Sequence, residues 1–310
     1  MTSSRFRGLR RRWRTGVASL FGLGVVFLTI CGPMVAPYNA EKPTPAVLLA
    51  PSLHHLMGTD ASGIDVFSVV LAAFHVDAFI ALTAVSIATV GGVLVGSLAG
   101  YSFGGSRLAA FVSALILRIL DFAQAIPVFI LALALVGTLG PSEANVIVAV
   151  TFVNLPFIAR LTRTSVRSTE ALEFVSACRA LGRRELSIFF RHIIPNSVDS
   201  SIASASAGVG QAILLTAGLS FLGAGIRPPT PEWGAEIAEG ANYVITGQWW
   251  IGLFPGLVLA AVVVGFALSG DAIRLSFREA RGSRAISEDT DAVVLGATRV
   301  PAIMPGVAEE

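Results

Sequence analysis

Long stretches without Asp, Glu, Lys or Arg dominate the pattern of hydrophobic and polar positions along the chain. Crossing about 30 Å of hydrocarbon takes roughly 20 apolar residues in a helix, which also satisfies its own backbone hydrogen bonds in lipid. The chain contains six such stretches. The fourth, residues 144–159, is short and needs a thin bilayer or a long flanking side chain to span the membrane. The pattern predicts an all-α membrane protein whose six transmembrane helices fall within residues 15–40, 78–106, 122–142, 144–159, 200–226 and 240–270.

The composition agrees with a membrane environment. Of the 310 residues, 54% are hydrophobic and only 14% are charged, whereas a typical soluble domain carries about 25% charged residues. The mean hydropathy is +0.75. These values exclude a disordered chain for most of the length and argue against an ordinary cytosolic enzyme. The two cysteines, Cys31 and Cys178, do not make a disulfide framework.

The distribution of basic residues predicts the orientation. All but one of the 22 basic residues are arginines, and most lie in residues 1–14, 160–195 and 271–310, whereas Lys42 and Arg227 alone fall in the opposite loops. Basic loops stay in the cytoplasm, so both termini are predicted to be cytoplasmic in a multi-pass protein of the cytoplasmic membrane. The first apolar stretch exceeds the roughly 7–15 residues of a signal-peptide core, and we interpret it as a retained helix.

The same pattern divides the chain into five regions. They are a cytoplasmic Arg-rich N-terminus (1–15), a first transmembrane helix (16–37), an outer loop with a short helix (38–75), a five-helix core (76–270) and a cytoplasmic, largely disordered tail (271–310). The core contains a cytoplasmic loop at 164–195 and an outer loop at 223–248. Pro127 and Pro156 are expected to kink the third and fourth helices.

Two features inside the apolar stretches leave alternatives open. Arg118 and Asp121 stand three apart, on one face of the third helix, and form either an intramembrane charge pair facing protein or water or a helix end from which Arg118 reaches the membrane surface. Small residues crowd 200–210 in the fifth helix. They allow either close helix approach or a polar pore lining.

The loop at 164–195 predicts two short amphipathic helices. The first, 172–181, ends at Gly182, and the second, 185–192, ends at Ile194-Pro195. Its large apolar side chains are expected to be buried and its small residues to form a flat surface; the former are Phe174, Leu181, Ile188 and Phe189, and the latter Ala177, Cys178 and Ala180. Such a unit fits a groove on a cytoplasmic partner, or it is an interfacial loop without a partner.

Three short motifs in this loop resemble the Glu-Ala-Ala loop of bacterial ABC importer permeases: Ser176-Ala177-Cys178, Gly182 and Ile194-Pro195. Further segments are similar to the dipeptide/oligopeptide branch of that family, most of all to its second, C-type permease. They are residues 173–182, 190–196, 219–223, 228–234 and 254–256, with Gly58-Thr59-Asp60, Gly63 and Asp65. The chain departs from the family pattern at Ser176 and Cys178, where Glu and Ala are usual, at Ile64, where Arg is usual, and at 183–185.

The resemblance implies the type I ABC importer permease fold and a non-catalytic subunit that moves di- or oligopeptides by alternating access. Its implied partners are a second homologous permease chain in a heterodimer, one or two ABC ATPase subunits, an extracytoplasmic solute-binding protein and membrane lipid, without nucleic acid. ATP and Mg would sit on the ATPase subunits, and no cofactor is expected in this chain. The residues implied in ATPase coupling are Glu173, Phe174, Ser176, Ala177, Cys178, Arg179, Ala180, Leu181, Gly182, Arg183, Arg184 and Glu185. Those implied in docking of the binding protein or in gating are Gly58, Thr59, Asp60, Asp65, Pro229, Glu232 and Trp233.

The motifs of other function classes are weak or missing in the sequence. A phosphate-binding loop needs Gly-Lys, but the single lysine, Lys42, follows Glu41, so nucleotide hydrolysis needs another chain. A nickel or haem importer of the same branch is an alternative, and a stand-alone secondary transporter would rely on Arg118 and Asp121. The sequence offers no nucleophile–base pair or metal set for an intramembrane enzyme.

Two outer-loop patterns touch on metal binding, although no metal site is expected. His54-His55 is either an ordinary loop or a metal or haem contact. The run from Asp60 to Asp65 has some of the spacing of a calcium loop but lacks its last Glu. We favour a role for these side chains in capping a helix that begins near Ile64.

Overall fold

The computed structural model describes residues 16, 20–22 and 24–270. The predicted Arg-rich N-terminus (1–15) and the predicted disordered tail (271–310) lie outside the described residues. Within them the chain is helical and forms no strand beyond an isolated bridge between Thr59 and Asp65.

Eleven α-helices follow one another in the described part. They are α1 (Leu20–Val35), α2 (Val66–Gly100), α3 (Arg107–Ala125), α4 (Val128–Leu139), α5 (Glu143–Glu170), α6 (Glu173–Ala180), α7 (Glu185–Ile188), α8 (Ile194–Ser197), α9 (Asp199–Phe221), α10 (Trp233–Tyr243) and α11 (Trp250–Gly270). The helices α2, α3, α5, α9 and α11 are long and apolar enough to cross a membrane. With the shorter α1 they confirm the predicted all-α, six-span fold.

Helix α2 starts earlier than the sequence indicated, at Val66 rather than at residue 76. The carboxylate of Asp65 caps it by accepting a hydrogen bond from the Ser68 amide at 2.8 Å, as a good N-cap does. The span was predicted too short because Asp77 interrupts the charge-free stretch, yet Asp77 is buried. The predicted separate short helix in 38–75 is the first turns of α2.

The boundaries of two further spans differ from the prediction. The third span begins at Arg107 rather than at residue 122. Ile126 and Pro127 have extended backbone angles and divide it into α3 and α4, because proline removes a helical donor and restricts the residue before it. Pro156 lies inside α5, which continues past it. That helix extends to Glu170 rather than to residue 159, since arginines are good helix formers and the chain stays helical beyond the apolar stretch.

Glycines bring α2 and α5 into close contact. A Cβ added at Gly96 would lie 2.2 Å from the Ala159 carbonyl oxygen, and one at Gly92 would lie 2.7 Å from the Ile158 side chain. Gly100 repeats the contact with α5 one turn later. Three glycines four apart therefore form the face of α2 on which α5 packs, as small residues do between membrane helices.

The small residues of α9 favour the close-approach alternative over a pore lining. The Ser201 hydroxyl is buried and lies 2.7 Å from the Thr162 hydroxyl of α5. A Cβ at Gly210 would lie 3.1 Å from the Val263 carbonyl oxygen of α11. The α9 backbone is thus packed between two neighbouring helices.

The two ends of the bundle differ in charge. We call residues 101–107 and 160–197 the arginine-rich end, and residues 38–65 and 223–249 the acidic end. They lie at opposite ends of α2, whose 35 residues extend about 52 Å at 1.5 Å per residue.

Candidate functional site

Helix α6 lies at the arginine-rich end, near its predicted position. It runs from Glu173 to Ala180, and Gly182 then adopts a left-handed φ of +71°, which favours glycine. Helix α7 continues through a π-helical turn (Phe189–Ile193) into α8. The prediction that Ile194-Pro195 ends the second helix is wrong, because Pro195 occupies the first turn of α8, where a missing backbone donor costs nothing.

Arg179 ties α6 to the ends of two membrane helices. Its guanidinium donates to Glu170 Oε1, at the end of α5, at 2.7 Å and to Glu185 Oε1 at 3.0 Å. Its Cζ also lies 5.6 Å from the centroid of the Tyr101 ring, just beyond α2. Glu185 accepts a short hydrogen bond from the Tyr101 hydroxyl. Because planar guanidinium groups hold carboxylates at fixed geometry, α6 is oriented against both helices.

The pKa of Glu185 reflects this network. Partial burial of the carboxyl opposes ionisation, but hydrogen bonds from Arg179 and Tyr101 outweigh it and hold the pKa of Glu185 below its ordinary value. The same carboxylates raise the pKa of Arg179. Glu185 and Arg179 therefore stay ionised and paired near neutral pH.

An apolar cluster lies beneath the network. It joins Val175 of α6 to Tyr101, Val166, Ile188, Phe189 and Ile193, with Phe103, Cys178 and Ile194 packed against it. The predicted burial of Ile188 and Phe189 is confirmed. Phe174 and Leu181 are 39% and 79% exposed in this chain, so their predicted burial requires a partner and stays a prediction. Cys178 turns towards the cluster rather than joining a flat outer surface.

The opposite side of this region is exposed. Ser176, which stands where Glu is usual in the resembling family, donates its hydroxyl proton to the Glu173 carbonyl at 2.7 Å, within its own helix. The exposed candidates are Glu173, Phe174, Ser176, Ala177, Ala180, Leu181, Gly182, Arg183 and Arg184. One side of the loop is therefore fixed to α2 and α5, and the other is exposed.

Of the two alternatives for Arg118 and Asp121, the structure does not show the pair within α3. Asp121 of α3 binds instead to Arg160 of α5, with Nη2 and Oδ1 2.5 Å apart. Both side chains are about half exposed. Arg118 borders an apolar groove between α3, α4 and α5 together with Phe122 and Phe152. The charges thus join two neighbouring helices at the bundle surface and do not form a pair within α3.

At the acidic end, the first group of candidates is largely internal. Thr59 is fully buried, and its hydroxyl accepts a hydrogen bond from the Leu49 amide at 2.8 Å. Gly58 has a left-handed φ, and a Cβ there would lie 2.6 Å from the Trp250 indole. Asp65 caps α2 and lies 2.9 Å from the His55 ring. These residues fix the loop onto α2 and α11, which confirms the capping interpretation for Asp65.

The start of α10 is the second group of candidates. Trp233 is fully buried and edge-on to Phe74, and its indole nitrogen donates to the Val70 carbonyl at 3.1 Å. Its backbone amide donates to Asp77 at 3.1 Å. Glu232 caps the helix by accepting from the Ala235 amide at 3.0 Å. Pro229, by contrast, is exposed.

Sequence reasoning missed the residues that complete both ends. Tyr101, Glu170 and Asp77 contact candidates from distant parts of the chain, as in the Tyr101–Glu185 bond across 84 positions. The position of Asp77 could have been noticed in the sequence, because an acidic residue inside an apolar helix usually contacts another part of the protein.

A bundle of helices long and apolar enough to cross a membrane defines an integral membrane protein. The family model for the binding-protein-dependent transport system inner membrane component matches residues 92–279, and the chain belongs to this family. It is a multi-pass inner membrane protein and the permease component of such a system.

Curated relatives cover most of the chain. The di/tripeptide transport system permease protein DppC of Pseudomonas aeruginosa is 36% identical over 82% of this chain and 84% of its own length. The probable D,D-dipeptide transport system permease protein DdpC of Escherichia coli is 37% identical over 87% and 91%. The glutathione transport system permease protein GsiD of Escherichia coli is 37% identical over 87% of both.

A solved structure also matches. It is the crystal structure of an amino acid ABC transporter with histidines, at 14% identity and a TM-score of 0.49, covering 68% of this chain and 94% of that one.

Proposed function

We propose that this chain is the permease subunit through which an ATP-driven importer moves di- and oligopeptides into the cytoplasm. The relatives are named for a di/tripeptide, a D,D-dipeptide and glutathione, all short peptides. The arginine-rich end faces the cytoplasm, because basic loops are retained there. The acidic end then faces outward, towards an extracytoplasmic solute-binding protein.

The observation that carries the proposal is the two-sided construction of α6. Its outer side exposes small and apolar residues, Ala177, Ala180 and Leu181 among them, to a groove on an ATPase subunit. Its inner side is bonded through Arg179 to Glu170 and lies against Tyr101. A displacement of α6 is thereby passed to α2 and α5 together, which is what alternating access requires.

The remaining partners follow from the same scheme. ATP and Mg are held by the ATPase subunits, and this chain performs no covalent chemistry. Helix α3 exposes large apolar side chains, including Phe111, Ile119 and Phe122, which lipid and a second homologous permease chain would cover in a heterodimer. The peptide path runs between the two permease chains.

The coupling role is tested by enlarging the exposed side of α6. In the assembled transporter, Ala177→Arg should lower ATP-dependent uptake of a labelled dipeptide about tenfold or more, since a large charged side chain cannot enter a groove shaped for alanine. Ala177→Ser is the matched control and should retain uptake. Membrane insertion, followed by immunoblot, should be equal in both.

Several results would contradict the proposal. They are equal uptake in both variants, uphill transport by this chain without an ATPase, or ATP-dependent uptake of nickel or haem but not of peptides. Co-purification with the tagged chain in mild detergent identifies the partner subunits directly.

A further inference from the structure

Three carboxylates from two separate segments converge at the acidic end. Asp60 lies in the loop before α2, and Glu236 and Glu239 stand three apart on one face of α10. One oxygen from each carboxylate lies within 4.8 Å of one oxygen from each of the others. The Ala61 amide donates to Glu239 Oε1 at 3.1 Å, so the two segments are already in contact.

This arrangement lacks a balancing positive charge. Among the ion pairs between described residues, none involves Asp60, Glu236 or Glu239. The Oε2 atom of Glu236 is inaccessible to solvent and has no hydrogen-bond donor within the described part of the chain. A buried, unpaired carboxylate oxygen is costly, and it points to a positively charged ligand.

The electrostatics agree with this geometry. Burial, followed by the charges of Asp60, Glu239 and Glu232, raises the pKa of Glu236 well above its ordinary value. Burial and the charge of Asp60 raise the pKa of Glu239. Three like charges at this spacing repel one another, and a cation or bound protons must compensate them.

We propose that Asp60, Glu236 and Glu239 form a calcium site that joins the loop before α2 to α10 on the outer face. Carboxylate oxygens are the ligands that hard divalent cations prefer, and calcium–oxygen distances of about 2.3–2.6 Å place opposite ligands about 4.6–5.2 Å apart. Calcium accepts flexible oxygen geometry, whereas magnesium demands a near-ideal octahedron and usually keeps several of its waters. Bidentate carboxylates and water complete the coordination.

The ligands are held in place by their surroundings. Asp60 Oδ1 accepts hydrogen bonds from the Ser62 and Ile64 amides at 2.8 and 2.7 Å. Gly63 follows with a left-handed φ and such close contact to Thr44 that a Cβ would lie 2.0 Å from its carbonyl oxygen. Helix α10 is fixed through Trp233. Because these side chains are already held in place, binding a cation costs little further conformational entropy.

The ligand set differs from the calcium loop suggested by the sequence. Asp65 is engaged in capping α2 and in contact with His55, so it is not a ligand. The missing ligands come instead from the second outer loop, far along the chain.

Direct binding of ⁴⁵Ca²⁺ to the assembled transporter in detergent tests the site. Both ends are accessible there, so the result does not depend on the proposed orientation or on transport. We expect saturable calcium binding and a higher thermal midpoint with calcium than with magnesium. Glu236→Gln should weaken binding about tenfold or more, because a charged ligand is lost. The control Glu41→Gln changes an exposed acid at the same end and should bind as the wild type does.

If a variant fails to fold, calcium binding to the wild-type transporter still tests the proposed site. The proposal is overturned if the wild type binds no calcium saturably up to about 1 mM, the weak end of extracellular sites. It is also overturned if Glu236→Gln binds as tightly as Glu41→Gln. A thermal midpoint that responds to pH but not to calcium would show that the cluster holds protons instead.

Discussion

At the scale of single residues, Glu232 both caps a helix and is buried. Its carboxylate caps α10, yet the side chain is 1% exposed and near Asp77. Burial raises the pKa of Glu232 to about 7. The folded protein therefore keeps a proton there that the unfolded chain releases near its ordinary value of 4.5.

This difference predicts a pH-dependent stability. A raised carboxyl pKa means that the folded state binds more protons between about pH 4.5 and pH 7, so stability falls as the pH rises through that window and then levels off. We expect the thermal midpoint of the transporter to fall between pH 5 and pH 7.5, as measured by tryptophan fluorescence. In Glu232→Gln this fall should be smaller.

Glu41→Gln is the matched control for that experiment. It removes an exposed acid at the same end and should reproduce the wild-type pH profile. An identical profile in Glu232→Gln would contradict the assignment of the proton to Glu232.

Side-chain pairing is the level at which the sequence was least informative. Arg118 and Asp121 share a helix face, but Asp121 binds Arg160 on another helix. Spacing along one helix predicts which residues share a face. It does not predict which neighbouring helix supplies the partner, because that depends on packing between distant segments.

At the scale of elements, Arg179 connects α6 to α2 and α5. Arg179→Met keeps the length of the side chain but removes the bonds to Glu170 and Glu185. We expect ATPase activity to persist while dipeptide uptake falls about tenfold or more, since the docked helix no longer moves the membrane helices.

The neighbouring Arg183 offers a control. It is exposed, and none of the ion pairs between described residues includes it. Arg183→Met makes the same change in charge and should leave ATP use and uptake coupled. Equal coupling in the two variants would show that the Arg179 contacts do not transmit motion.

The glycine contact between α2 and α5 gives a prediction about stability. Gly96→Ala places a methyl group where the Ala159 carbonyl lies at 2.2 Å, and relieving such overpacking costs about 1–3 kcal/mol. The thermal midpoint should fall accordingly. Gly137→Ala is the control, because a Cβ there meets nothing within 4 Å, and it should be neutral or slightly stabilising.

Apolar stretches predicted which elements exist, but not where they end. The six spans, the position of α6 and the turn at Gly182 follow from hydropathy and local backbone preference. The start of α2 does not, because Asp77 is accommodated by the Trp233 amide from another loop. Nor does the continuation through Pro195, which depends on a π-helical turn before it.

At the scale of the whole molecule, the two ends of the bundle were predictable to different degrees. The arginine-rich end carries a recognisable motif in continuous sequence. The acidic end is assembled from Asp60 and α10, and only folding brings its carboxylates together.

Helix α2 contains no proline and connects these ends without interruption. An unbroken helix of that length offers a direct mechanical connection between the two ends. Thermodynamic reciprocity then applies. If nucleotide binding to an ATPase at the arginine-rich end alters the affinity for a cation at the acidic end, the cation must alter the affinity for nucleotide by an equal factor. In that case the nucleotide affinity of the ATPase would depend on the cation concentration at the acidic end, although the ATPase does not bind that cation.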